Sequence, residues 1–144
     1  MNAPVPLSEA QELVLQILER TSFNNLDGPR VVAALRANSH LWRSAYFTSI
    51  GIEQAADQTW VFNAARHDLI SLRDLPQDLL QFDTLLLLPV PGAQDELTSL
   101  ATNWSADIIQ WVALPEAGRV MGGRRSVMEF SSSPSKVILY VWWD

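Results

Sequence analysis

Two stretches of this chain are apolar at successive positions yet only strand-sized: residues 84–88 (Thr-Leu-Leu-Leu-Leu) and residues 137–143 (Val-Ile-Leu-Tyr-Val-Trp-Trp). Neighbouring residues of a strand point to opposite faces, so a strand without polar alternation must be covered on both sides. That requirement restricts the chain to folds with a layered, enclosed sheet. The first run reads as a central parallel strand. The second is uncharged and β-prone, and left open it would be an aggregation hazard. It is therefore a covered central strand, or a strand whose outer face meets a partner.

Pro89 and Pro91-Gly92 end the first run, and residues 95–104 follow with Leu97, Leu100, Ala101 and Trp104 at helical spacing. Ile108-Ile109-Gln110-Trp111-Val112-Ala113-Leu114 is a further β run. Strand, helix and strand in about thirty residues predict a βαβ unit at the centre of a mixed sheet.

Upstream the pattern is helical. Ser8 with Gln11 three residues on fits a capping box, and Leu13, Val14, Ile17 and Leu18 form one apolar stripe behind it. Asp27-Gly28-Pro29 opens a second helical pattern through Val31, Val32 and Leu35, then Trp42, Ala45, Tyr46 and Ile50. Ser39 is placed to cap a separate helix there, and Gly51 to end it. Residues 58–64 predict a strand that either forms a hairpin with residues 69–72 or ends at Asn63. Residues 76–82 predict a short helical turn, residues 115–126 a loop, and residues 127–130 a strand paired in a hairpin with the last one. The expected fold is α/β or α+β: one domain over 1–144, with a helical segment at 1–51 and a four-to-six-stranded sheet segment at 58–144.

Composition supports a domain of this kind. Apolar residues make up 48% of the 144 positions and charged residues 18%, enough to build a core without staples. The absence of cysteine removes disulfide scaffolds, cysteine-ligated zinc and thiol catalysis. A net charge of −6 argues against a general nucleic-acid or anionic-membrane binder. The first residues lack the basic and apolar regions of a signal peptide, and no apolar run approaches about 18 residues. A soluble, cytoplasmic protein is expected.

Motifs for chemistry are weak. The turn Pro91-Gly92-Ala93-Gln94-Asp95-Glu96 has neither nucleotide-binding glycine fingerprint, and its two acids would repel an added anion. His40 and His67 have no partners at metal-ligand spacing, Ser131–Ser133 lie in a turn rather than a nucleophile elbow, and Lys136 is the sole lysine. No catalytic residue, metal or cofactor is expected. The best polar candidate is the Gly118–Ser126 stretch, where Arg119, Gly122, Gly123, Arg124 and Arg125 form a site for an anionic ligand or simply a solvated loop. Residues 28–50 have the length of a helix-turn-helix, with His40 and Arg43 on a helix starting near Ser39 and Arg30 and Arg36 beside it. Acidity weighs against that DNA-binding reading.

Six tryptophans remain. Trp42, Trp60, Trp104 and Trp111 fall at core or core-edge positions. Tyr140, Trp142 and Trp143 are candidate interface residues, since surplus aromatic surface marks protein contacts. The function class this favours is a non-catalytic interaction or regulatory module that binds a protein partner or itself as a homodimer. A small anionic-ligand binder or enzyme using the Gly118–Ser126 loop is the alternative, and DNA binding through residues 28–50 the third.

Overall fold

A computed structural model describes residues 6–20, 24–48, 51–54, 60–63, 83–114, 116–120 and 135–144, with backbone alone for 48, 51–54, 60–63, 119 and 120. The elements are α1 (Glu9–Leu18), α2 (Gly28–Ala37), β1 (Trp42–Thr48), β2 (Gly51–Gln54), β3 (Trp60–Asn63), β4 (Thr84–Pro89), α3 (Gln94–Ala101), a 3-10 turn (Thr102–Trp104), β5 (Ile108–Val112), α4 (Glu116–Val120) and β6 (Ile138–Trp142). The class is α+β. A four-stranded sheet runs β1-β4-β6-β5, and β2 and β3 form a separate two-stranded pair.

Every pairing in the larger sheet is antiparallel. This corrects the expected parallel centre. β4 and β5 run in the same direction, but β6 lies between them and pairs with both, so α3 bridges two strands that never touch edge to edge. Such a split crossover satisfies the strand–helix–strand spacing equally well. β4 pairs along one edge of β6 and β5 along the other; the hairpin partner expected from residues 127–130 lies outside the described residues. β3 likewise pairs with the upstream β2, Gly51 opposite Asn63, so Gly51 begins a strand instead of ending a helix. The other predicted elements at 69–72 and 76–82 lie outside the described residues.

The second correction is β1. Residues 42–48 form an edge strand, not a helix. The register against β4 shifts between Trp42 and Ser44, which marks a bulge at Arg43. One inserted residue turns Trp42 onto the same face as Ala45 and Phe47. There Trp42 is 8% exposed and its indole Nε1 donates to the Leu35 carbonyl of α2 at 3.0 Å.

Rows across the sheet explain the double-sided burial. On one face Phe47, Leu85, Val141 and Ile109 line up, as do Ala45, Leu87, Leu139 and Trp111. These pack with Leu15 and Leu18 of α1, Val31, Val32 and Leu35 of α2, and Leu97 and Ala101 of α3. On the opposite face Tyr46, Leu86, Tyr140 and Gln110 form a row. Leu86, Leu88, Ile138 and Tyr140 cluster there with Ala117 of α4. Both long apolar runs are thus inner strands covered on both faces.

Local chemistry sets the helix ends. Ser8 accepts from the Gln11 amide while the Gln11 side chain accepts from the Ser8 amide, a closed capping box. Asp27 caps α2 in the same way through the Arg30 amide. Gly92 has φ +84 at the third position of the turn Val90-Pro91-Gly92-Ala93, which the Ala93 amide closes on the Val90 carbonyl. Proline followed by a left-handed residue is the type II arrangement, so glycine is required there.

α1 and α2 are tied by Arg36, which bonds Glu19 and, at 3.0 Å, Glu12. The hydrogen bond to Glu19, reinforced by that to Glu12, raises the guanidinium pKa above its ordinary value. A raised folded pKa contributes stability below the ordinary guanidinium value while the glutamates are ionised, so the link operates throughout the neutral range. The side chains are a third or more exposed, so solvent screens them. Arg36→Ala is expected to lower stability by about 1 kcal/mol at low ionic strength. In urea titrations the deficit should shrink in about 1 M salt, where the Debye length falls to about 3 Å.

Candidate functional site

Among the described residues, the large apolar side chains most open to solvent lie on α1. Helical geometry separates its apolar residues into two sets. Leu15 and Leu18, each 4% exposed, face the sheet. Leu13, Val14 and Ile17 remain 54%, 53% and 48% exposed. The single stripe expected over Leu13, Val14, Ile17 and Leu18 is therefore divided, and only Leu18 of the four reaches the core. Ala10, Leu13, Val14 and Ile17 follow the i, i+3, i+4, i+7 spacing of a helix-packing seam. Scattered exposed leucines are ordinary, whereas a contiguous exposed seam marks a contact surface.

The seam continues into a groove between α1 and edge strand β1. Ala10, Gln11 and Val14 form its wall, and Trp42, Ser44, Ala45 and Tyr46 line the β1 side. Its volume is about 260 Å³. Arg43, put outward by the bulge, is the basic residue at its rim, whereas α1 itself carries Glu9, Glu12 and Glu19. A second, more open depression of about 400 Å³ lies at the start of α3, lined by Asn38, Leu41, Asp95, Glu96, Ser99 and neighbours. Its two carboxylates disfavour anions, in keeping with the fingerprint-free turn.

The aromatic candidates sit elsewhere. Tyr140 is 1% exposed and Trp143 is fully buried. Trp143 donates from Nε1 to the Trp104 carbonyl at 2.8 Å and from its amide to the Asp83 carbonyl at 3.0 Å. Its own carbonyl accepts from Asn24 Nδ2. Trp142 alone of the three is partly exposed, on the α4 side of the sheet. Trp42 and Trp104 are core residues, and Trp111 is half-buried, its Nε1 donating to Thr98 Oγ1 at 2.8 Å.

For the arginine stretch, α4 covers Gly118 and Arg119, where the sequence predicts only loop. Gly122, Gly123, Arg124 and Arg125 lie outside the described residues, as do Ser131–Ser133 and His67. His40 occupies the turn between α2 and β1, and its Nδ1 is buried without a hydrogen-bond partner. Among the described residues no group of three or more His, Cys, Asp or Glu is arranged to hold a metal. No helix among them is long and apolar enough to cross a membrane.

The helix-turn-helix expectation loses its structural premise. No helix begins at Ser39; Arg43 is on a strand, and Arg36 is engaged with Glu12 and Glu19. The α1 seam is not legible in sequence alone, because apolar periodicity shows that a helix has an apolar face and not which face the sheet claims. Six apolar residues between Ala10 and Leu18 are more than one buried stripe needs, and that surplus was the available signal. No protein-family model, curated protein or solved structure matches the chain.

Proposed function

We propose that the chain is a non-catalytic protein-interaction or regulatory module whose contact surface is the exposed flank of α1 with the groove beside β1. The observation that carries this reading is the seam Leu13, Val14 and Ile17, about half exposed at each position on a well-capped helix. Interfaces place such apolar residues at the centre of a polar rim, here Glu9, Gln11 and Arg43. Of the three aromatic candidates, Tyr140 and Trp143 are buried in the core and Trp142 alone has accessible surface. The acidic flank of α1 and the net charge of −6 favour a protein over an anionic bilayer.

The test is association that depends on the seam. Leu13→Glu with Ile17→Glu alters exposed positions, so stability should change by only about 0.5 kcal/mol per site. Wild-type and variant chains are immobilised and offered native extract and the purified chain itself. Capture by the wild type and loss in the variant is the expected result. Identical capture by both, or none by either, overturns the reading.

A further inference from the structure

We infer that the occupant of this surface is α1 of a second copy, packed antiparallel about a two-fold axis. This rests on the interaction-module reading and narrows it to self-association. A two-fold interface must be its own complement, each residue i meeting j while j meets i. The seam has that property. Reversing one helix against the other sets Ala10 opposite Ile17 and Leu13 opposite Val14, so the smallest side chain faces a large one. The same register satisfies all four positions.

Charge selects the antiparallel direction. In this register Glu9 of one copy lies about 3 Å along the axis from the level of Arg20 in the other, at a rise of about 1.5 Å per residue. Both side chains are exposed. A parallel pair would instead set Glu9 at the level of Glu9, with no basic residue of α1 near it. Space favours it too. Leu13 of the second copy, arriving over Val14, borders the groove of about 260 Å³ and can extend toward Ala45 and Tyr46. α1 has ten residues, a span of about 15 Å, so the contact belongs to the small, transient class. Its dissociation constant is expected on the order of 10–100 μM.

Sedimentation of the full chain from about 1 to about 500 μM should show the mass rising from 16.1 kDa toward twice that value. The Leu13→Glu/Ile17→Glu variant should stay monomeric, with unchanged circular dichroism and only a small shift of its urea midpoint. Glu9→Arg should weaken dimerisation several-fold, and adding Arg20→Glu should restore it. Direction is read by cross-linking, because the chain has no native cysteine. An Ala10→Cys chain mixed with an Ile17→Cys chain should oxidise to the mixed dimer in preference to either homodimer. A homodimer of Ala10→Cys as the main product overturns the antiparallel arrangement. A monomer at every concentration overturns self-association, and then seam-dependent capture of a different protein still upholds the broader module reading. Binding to phosphatidylcholine vesicles that Leu13→Glu/Ile17→Glu abolishes, without dimerisation, would reassign the seam to a lipid surface.

Discussion

Trp143→Ala is expected to destabilise the domain by about 3–5 kcal/mol, the usual range for deleting a buried tryptophan. Trp143 is fully buried within the cluster shared by α1, α2, α3 and the sheet. The substitution removes that packing and also leaves the buried Trp104 carbonyl without its indole donor. An orphaned buried acceptor adds about 1–3 kcal/mol, part of which a water entering the cavity would recover. Domains of this size hold about 5–15 kcal/mol in total, so the variant should be barely folded at room temperature. Trp143→Phe separates the two contributions, since it keeps most of the ring contact and loses the N–H; it should fall midway. Trp142→Ala, at a partly exposed position, should cost clearly less than Trp143→Ala. Urea midpoints with unchanged slopes report the order. Equal losses at 142 and 143 would contradict the placement of the two indoles.

Which tryptophan is enclosed is a question that sequence poses and cannot answer alone. Alternation along β6 says that Trp142 and Trp143 face opposite ways, but not which side the helices cover. The answer comes from elements far away in the chain: Asp83, Trp104 and Asn24 all bond Trp143. The same limit explains the split crossover. The spacing of β4, α3 and β5 predicts a strand–helix–strand passage, and nothing local reveals that β6 inserts between the strands. Capping is different, because its partners are three residues apart. The start of α1 is legible in Ser8 and Gln11, and that of α2 in Asp27.

β1 was obscured by its own irregularity. Strict alternation would have put Trp42 with Ser44 and Tyr46, but the bulge at Arg43 adds one residue to the period. Trp42, Ala45 and Tyr46 then stand at intervals of three and one, which mimic a helix. Tryptophan, tyrosine, phenylalanine and threonine in the segment were the contrary signal, one of β propensity. The candidate surface was hidden for a related reason. Apolar residues on α1 are visible in sequence, but their division between core and solvent depends on how α1 rests on β1 and on the Arg36 link to α2.

Leu86→Ala and Leu87→Ala provide the second large effect, and their equality is the informative part. A strand with one wet face tolerates truncation at every other position, so two adjacent leucines should differ sharply there. In β4 all six residues are buried, with Leu86 at 2% and Leu87 at 0% exposure. Leu87 lies in the row with Ala45, Leu139 and Trp111, under the helices. Leu86 lies in the opposite row, between Tyr46 and Tyr140. Each truncation should therefore cost about 2–5 kcal/mol, from lost transfer free energy and the cavity left behind. Leu13→Ala on exposed α1 is the control and should stay within about 0.5 kcal/mol. Thermal and urea unfolding of the three variants side by side decide the matter. A mild effect at Leu86 beside a severe one at Leu87 would mean that the Tyr140 face is open to water. A polar substitution sharpens the contrast, because Leu86→Asn would move a strongly hydrated amide into the buried cluster with Leu88 and Ile138, and it should cost more than alanine. The two-sided requirement that residues 84–88 and 137–143 impose would then be measured directly on the strand that carries it.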